Sequence, residues 1–311
     1  MQYNNFSSVT EILLLGFPGF KSFKIFFFLL LLIIFCLTLC GNLLIIVLVS
    51  CSSQLHSPMY FFLTQLSSSD ILLTTSIVPV MLRAVLYEGS TISFIGCLAQ
   101  FYVFTASEAL ECLLLTVMSY YRYQAICNPL HYASVMDRAF CLNIVLCCWL
   151  FVCAIILMIS LTMNQLQFCG PNIIDHFFCD FAPLLKLSCS NTLVIELESV
   201  LLSIPLVICP FTVIIISYTY IAFTILKIPS VTGRQKTFST CSSHLSVVSV
   251  YYGSLISIYL FPHQEVLNKV LSLLYTVVTP LLNPIIYSLR NKDIKENFKK
   301  LLANLSTSCH S

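Results

Sequence analysis

Seven long apolar segments dominate the pattern of hydrophobic and polar positions along the chain. The first covers 26 residues without a charge, and a helix of that length, rising about 1.5 Å per residue, crosses a hydrocarbon core of about 30 Å. Strands of a membrane barrel would alternate in character over about ten residues, and these segments do not. Because unpaired backbone cannot face lipid, the segments are predicted to be helices packed in a bundle. They comprise residues 25–50, 58–82, 95–118, 140–163, 200–226, 245–261 and 270–289.

The composition agrees with this prediction of an all-α integral membrane protein, a seven-transmembrane helix bundle. Of the 311 residues, 58% are hydrophobic and 9% are charged, whereas soluble domains carry about a quarter charged residues. The formal net charge of +2 gives no reason to expect nucleic acid as a partner. Most of the 16 cysteines lie within the apolar segments, where a cysteine usually serves as a small buried hydrophobe.

The basic residues set the orientation of the predicted bundle in the lipid bilayer. With the N-terminus outside, ten of the 15 lysines and arginines fall on the cytoplasmic side, as the positive-inside rule requires. No cleavable signal peptide is evident, so the first span is expected to direct its own insertion. We expect an extracellular segment over 1–22, a seven-transmembrane domain over 23–290, and a cytoplasmic tail over 291–311 that contains a short amphipathic helix.

Three acidic residues lie inside the predicted spans. Asp70 falls in the second span, and Glu108 and Glu111 fall in the third, on adjacent parts of one helix face. A charge near the bilayer centre costs roughly 2.5–3.5 kcal/mol on insertion scales, so each acid is a functional-site candidate. No lysine or arginine lies at matching depth. Together with Asn42 and Asn283, Asp70 and Glu111 form either a polar pocket that binds sodium or a hydrogen-bonded network that fixes helix packing.

The most specific signal is a series of motifs that runs from the first span to the tail. They are Gly41-Asn42, LHSPMYFFL at 55–63, MSYYRYQAICNPLHY at 118–132, Ser217-Tyr218, KTFSTCSSHL at 236–245 and PLLNPIIYSLRN at 280–291. Each motif alone is a modest signal, but all of them in this order are highly specific. Over its whole length the chain resembles the odorant receptors, a family of rhodopsin-like G-protein-coupled receptors.

The resemblance implies a sensory receptor of the plasma membrane that binds a small, usually volatile molecule among its helices. It further implies that the receptor activates a stimulatory, olfactory-type G protein, which raises cAMP. Helix bundles place ligand sites between facing helices, in agreement with such a role. Carried onto this sequence, the ligand-binding set consists of Phe104, Thr105, Glu108, Ala109, Leu202, Ser203, Leu206, Leu255, Ile256, Tyr259 and Thr276.

Glu108 is the informative member of this set. Glu111 occupies the position where the family usually has an acid, whereas Glu108 is an additional one. A carboxylate at this depth favours an amine or a strongly hydrogen-bonding ligand, and a carboxyl that desolvation keeps protonated acts as a neutral donor instead. We hypothesise that Glu108 is the polar anchor for a small hydrophobic or amine odorant. For the aliphatic members, ordinary helix packing is the alternative.

On the cytoplasmic side, the resemblance assigns G-protein coupling to Arg122 and activation switching to Tyr218 and Tyr287. An arginine that snorkels to the membrane surface is the alternative interpretation of Arg122. The acidic residue that usually precedes this arginine in the family is replaced by Tyr121. We therefore expect stronger signalling without ligand, or a different partner for Arg122 in the inactive state.

Four cysteines fall outside the membrane in this orientation, where oxidation is permitted: Cys97, Cys169, Cys179 and Cys189. Sequence alone leaves all three pairings open. The resemblance implies Cys97–Cys179 and Cys169–Cys189, and a Cys179 held in a disulfide offers no thiolate, so no metal site is predicted beside it. Asn5, in Asn5-Phe6-Ser7, is expected to be a glycosylation site.

Other classes of function have less support in the sequence. The chain has no glycine-rich phosphate loop and no His-Glu-x-x-His motif, so we predict neither an enzyme nor a cofactor. A secondary transporter is an alternative because buried acids also mark ion pathways, although the seven spans show no repeat. A non-olfactory receptor of the same superfamily is the nearer alternative.

Overall fold

Seven long helices form a bundle in the computed structural model, which describes residues 9–18, 23–129, 132, 137–169, 171–260, 265–290 and 294–300. Each predicted span lies within one of these helices, apart from residue 261, which is outside the described residues. The helices are α1 (Lys24–Cys51), α2 (Pro58–Tyr87), α3 (Phe94–Cys127), α4 (Arg138–Asn164), α5 (Leu193–Leu226), α6 (Val231–Leu260) and α7, which joins Glu265–Leu273, Leu274–Val278 and Thr279–Arg290.

Six helices in the described part of the chain are long and apolar enough to cross a membrane, and α6 is the one of the seven that falls short. The first half of α6 is rich in polar residues, whereas its second half coincides with the predicted span. Large apolar side chains face outward, among them Ile33 and Leu150, which are 57% and 71% exposed. Exposed apolar side chains on the outside of a helical bundle are suited to contact with lipid.

The helix ends follow local sequence signals. Pro58 occupies the first turn of α2, where its missing amide hydrogen is not needed. At the other end, Glu88 adopts a left-handed conformation with φ of 57°. Ser93 caps α3 by accepting a hydrogen bond from the Gly96 amide at 3.1 Å, and Asp137 caps α4 by accepting one from the Phe140 amide at 2.7 Å.

A three-stranded sheet covers the outer end of the bundle, with the strand order β2-β1-β3. Strand β1 (Glu11–Leu14) pairs antiparallel with β2 (Ser90–Ser93) and parallel with β3 (Ile173–Ile174). The side chains of Ile12 and Leu14 are fully buried beneath it. The sequence analysis predicted only an extracellular segment here, so the sheet is an addition by the structure.

Two disulfides hold the long loop between α4 and α5, and they are the two that the resemblance implied. Cys97, in the first turn of α3, is bonded to Cys179, and Cys169 is bonded to Cys189. Between Cys179 and Cys189 the loop forms a short helix, Phe181–Leu185. The loop is thereby fixed to the outer end of α3.

The C-terminal tail is described over residues 294–300, which are helical. Ile294 is buried against the bundle, and the Ser52 hydroxyl donates a hydrogen bond to Asn297 Oδ1 at 2.7 Å. The rest of the predicted amphipathic helix lies outside the described residues, as does the sequon at Asn5.

Candidate ligand-binding site

A cavity of about 250 Å³ lies between the helices near their outer ends, beneath the disulfide-bonded loop. Its walls come from α3, α4, α5, α6 and α7, together with two residues of the loop. Most of the lining is aliphatic or aromatic, with a small number of polar groups. Eight of the eleven residues of the predicted ligand set line it: Phe104, Thr105, Glu108, Ala109, Leu202, Ser203, Leu206 and Leu255.

Glu108 is the acidic group that α3 contributes to the cavity. The residue is 8% exposed, and neither oxygen of its carboxyl has a hydrogen-bond partner among the described residues. Thr105, one helical turn earlier, also has a buried hydroxyl without a partner there. A buried polar group without a partner is costly, and these two are placed where a ligand would supply the missing hydrogen bonds.

The remaining members of the predicted set are placed differently. Ile256 is 44% exposed and is not among the lining residues, because it lies about 100° around α6 from Leu255 and faces outward there. Thr276 is fully buried outside the cavity, and its hydroxyl donates to the Ser272 carbonyl at 2.6 Å. The side chain of Tyr259 lies outside the described residues.

Two short π-helical turns shape the walls. The turn at Ile204–Ile208 in α5 contributes Leu206, and the turn at Leu274–Val278 in α7 contributes Tyr275. A π-turn inserts one extra residue and rotates the side chains that follow it. Within this turn Tyr275, rather than the predicted Thr276, lines the cavity.

Tyr251 and Asp180 are lining residues that the sequence analysis missed. The Tyr251 hydroxyl donates to the backbone carbonyl of Glu108 at 2.9 Å and lies 3.1 Å from the Cys112 sulfur, so it ties α6 to α3. Asp180 comes from the loop, next to Cys179. Burial raises the pKa of Asp180, and the hydrogen bond from the Phe181 amide partly offsets this effect.

A second polar cluster lies deeper in the bundle. The Asn283 amide donates to both carboxyl oxygens of Asp70, at 3.1 and 3.2 Å, and to Glu111 Oε1 at 3.1 Å. Asn42 bonds instead to the backbone of Thr38 and of Pro280. The described residues contain no group of three or more histidine, cysteine or acidic side chains arranged for a metal. The hydrogen-bonded network is therefore the arrangement that the geometry contains, and sodium binding stays a prediction.

The ends of α3, α5 and α6 that lie away from the sheet meet around Arg122, which is 3% exposed. The Tyr218 hydroxyl lies 2.8 Å from His244 Nδ1, and His244 Nε2 lies 3.1 Å from the Leu115 carbonyl. One tautomer of His244, with the proton on Nε2, satisfies both contacts. The sequence analysis placed His244 in a motif without giving it a role. Tyr287 is also buried here, and its hydroxyl has no hydrogen-bond partner in the described part of the chain.

Tyr121, near the C-terminal end of α3, contacts Tyr132 in the segment that follows this helix. The two tyrosine hydroxyls are hydrogen-bonded, and their rings meet edge to face. The ring of Tyr121 also packs edge to face on Phe62 of α2. At the position where the family usually has an acid, this chain has an aromatic contact between α2 and α3.

His176 is buried in the outer loop, between the rings of Phe177 and Phe178. Burial lowers the pKa of His176 to about 3, and the positive charge of Lys269 adds to this effect. Lys269 itself forms a salt bridge with Asp175, with 2.6 Å between Nζ and Oδ1. His176 is therefore uncharged near neutral pH, and its ring packs against those of Phe177 and Phe178 in the outer loop.

The comparison with known proteins gives a single result. Residues 29–305 match the olfactory receptor family. The chain is similar to olfactory receptor 11L1 of Homo sapiens, with 46% identity over 305 residues that cover 97% of this chain and 95% of that receptor. It is also similar to olfactory receptor 1J1 of Mus musculus, with 46% identity over 97% of this chain and 98% of the relative. Olfactory receptor 1468 of Rattus norvegicus is 44% identical over 97% of each chain.

Proposed function

Because the chain belongs to the olfactory receptor family of G-protein-coupled receptors, we propose that it detects a small volatile molecule within its helix bundle and activates a stimulatory, olfactory-type G protein. The activated G protein would raise cAMP. Family membership makes the chain a multi-pass membrane receptor of seven transmembrane helices and not an enzyme. It also argues against the transporter that the buried acids left open.

The cavity beneath the outer loop is the observation that carries this proposal. Its volume of about 250 Å³ suits a small molecule, and its lining is mostly apolar. Glu108 adds a carboxyl without a partner among the described residues, which favours a ligand that carries an amine or another strong hydrogen-bond donor. A ligand activates the receptor only if it binds the active arrangement more tightly than the inactive one.

The cytoplasmic end supports the same proposal from the other side of the bundle. Arg122 is buried where α3, α5 and α6 converge, and the contacts of His244 with Tyr218 and Leu115 join these three helices. A change in the spacing of the helices would expose Arg122 to a cytoplasmic partner. We assign the plasma membrane as the location, with the sheet and disulfides outside and Arg122 inside.

A cAMP reporter assay tests the proposed function. Cells co-express the chain with an olfactory-type G protein and are exposed to a chemically diverse odorant panel that includes amines. We expect a saturable rise in cAMP that is lost in Arg122→Ala, with surface labelling to show that both forms reach the membrane. A well-expressed receptor that gives no response to any class in the panel, or a response that Arg122→Ala retains, would contradict the proposal.

A further inference from the structure

Two acidic residues from different parts of the fold line the same cavity. Glu108 belongs to α3, inside the bundle, and Asp180 belongs to the outer loop that covers it. None of the described residues that line the cavity is a lysine, arginine or histidine. The cavity therefore has two acidic groups and no basic group of its own to neutralise them.

The Glu108 carboxyl is buried and unpaired among the described residues. Its side chain is more than nine-tenths buried, and both carboxyl oxygens lack a partner among the described residues. The nearby Tyr251 hydroxyl is engaged with the Glu108 backbone carbonyl at 2.9 Å. A donor from a bound molecule would satisfy the carboxyl, and a cationic donor would satisfy it best.

Asp180 is held in place by the residues around it. Cys179, immediately before it, is bonded to Cys97 of α3, and the Cys179 amide donates to Gln100 Oε1 at 2.9 Å. One carboxyl oxygen of Asp180 accepts the Phe181 amide at 2.7 Å and caps the short helix that follows. The disulfide and the cap thereby fix the position of this carboxyl.

Most of the cavity wall is apolar. It includes Phe101 and Phe104 of α3 and Leu202 and Leu206 of α5. A hydrocarbon chain fits such a surface, and the two acidic residues offer it two polar partners in one cavity.

We propose that this receptor recognises a small aliphatic diamine, whose two ammonium groups pair with Glu108 and Asp180 while its methylene chain lies against the apolar wall. The inference rests on the proposed function and names the ligand class of the same cavity. A monoamine would pair with one carboxyl and leave the other unpaired, whereas an organic acid would find no cationic partner among the described lining residues.

Direct binding to the purified full chain in lipid nanodiscs tests the proposal without a G protein. The probes are tritium-labelled diaminopentane, with an amino group at each end, and tritium-labelled pentylamine. We expect the diamine to bind about tenfold to a hundredfold more tightly, the effect of one additional charge-assisted hydrogen bond. Diamines with longer and shorter chains should show an optimum length.

Two variants separate the two acids. Asp180→Asn keeps an acceptor for the Phe181 amide but removes the charge, because asparagine caps helices as well as aspartate does. It should lower diamine affinity about tenfold or more and leave pentylamine affinity within about twofold. Glu108→Gln should weaken both probes. Asp180→Ser, which also retains a cap, guards against an effect on folding, and thermal unfolding of each variant measures that effect.

Equal affinity for the two probes would overturn the proposal, as would an Asp180→Asn variant that weakens both equally. A receptor that raises cAMP with other odorants but shows no preference for the diamine would overturn this inference and leave the proposed function standing. Tight and Asp180-dependent diamine binding without any cAMP response would support the ligand class and contradict the proposed coupling.

Discussion

At the scale of the single residue, Glu108 determines the chemistry of the cavity. Its carboxyl is buried at the cavity wall and has no hydrogen-bond partner among the described residues. The sequence analysis could identify Glu108 because an acid inside an apolar span stands out from its neighbours. It could not identify Asp180, which lies in a polar loop and reaches the cavity through a disulfide between residues far apart in sequence.

Glu108→Gln tests the role of this carboxyl in signalling. Glutamine has nearly the same shape, so the cavity keeps its form while the charge is lost. We expect potency for amines to fall by about tenfold or more and potency for uncharged odorants to change little, as measured by cAMP dose–response curves. Ile256→Val, on the exposed face of α6, serves as the matched control. An unchanged ligand profile in Glu108→Gln would count against the anchor.

Tyr121→Asp tests the consequence of the missing acid beside Arg122. An aspartate there would pair with Arg122 and favour the inactive arrangement. Since an ion pair worth about 1 kcal/mol changes a two-state population about fivefold, we expect basal cAMP to fall by roughly that factor. Tyr121→Phe removes the hydrogen bond to Tyr132 without adding a charge and should not lower basal cAMP. Equal basal cAMP in Tyr121→Asp and the parent receptor would refute the idea.

At the scale of the element, the sequence predicts where the helices cross the apolar region better than where they end. The prediction of residues 245–261 covers the second half of α6, which begins at Val231. Likewise, α3 continues to Cys127, and α5 begins at Leu193, seven residues before the predicted start. Hydrophobicity reports the part of a helix that meets lipid, whereas hydrogen bonding and caps decide its length.

Strand β1 could not be predicted from the sequence at all. Its four residues alternate in burial, but four residues are too few to establish a period of two, and both partner strands are distant in sequence. The predicted ligand set came from the family resemblance instead, and eight of its eleven residues line the cavity. The exceptions among the described side chains are Ile256, which is exposed on α6, and Thr276, which is buried away from the cavity.

Ile12→Ala tests whether β1 stabilises the receptor through the three-stranded sheet at the outer end of the bundle. The Ile12 side chain is fully buried, and removal of a buried isoleucine to alanine costs about 2–5 kcal/mol. We expect a lower midpoint of thermal unfolding for the purified receptor and less receptor at the cell surface. The exposed neighbour Glu11→Ala is the control and should behave like the parent chain. Identical unfolding of the Ile12→Ala receptor would mean that the strand adds no stability.

At the scale of the whole molecule, polar side chains lie inside the bundle and apolar side chains lie on its outer surface. Apolar side chains cover the outer faces of the helices, and the hydrogen bonds of Asn283 with Asp70 and Glu111 lie at the centre. The sequence predicted that these polar residues would assemble, because each stands alone in an apolar span. It placed Asn42 with them, but Asn42 bonds to the backbone of its own helix and of α7.

The stability of the whole receptor should depend on pH through His176. Its pKa falls from 6.5 to about 3 on folding, because burial and Lys269 oppose the charged form. Below pH 6.5 the unfolded chain takes up a proton on His176 that the folded receptor does not. The free energy of unfolding therefore falls as the pH falls from 6.5 towards 3. Between about pH 7 and pH 5 the loss should reach about 2 kcal/mol, measured by thermal unfolding of the purified receptor.

His176→Phe isolates this contribution. Phenylalanine keeps the ring packing with Phe177 and Phe178 and cannot take up a proton. The variant should lose less stability than the parent chain over the same pH interval. The raised pKa of Asp180 acts in the opposite direction and is common to both proteins, so it cancels in the comparison. Parallel pH profiles for the two proteins would disprove the assignment.

The parallel pairing of β1 with β3 also bears on how the receptor is made. Leu13 pairs with Ile173, so about half of the chain must be synthesised before the first strand meets this partner. In the proposed orientation, β1 emerges early into the lumen of the secretory pathway and waits there while α1 to α4 are inserted. Until β3 follows, one edge of β1 has no partner, and an unpaired edge is a site for aggregation. A ribosomal pause before α4 is complete would prolong that exposure.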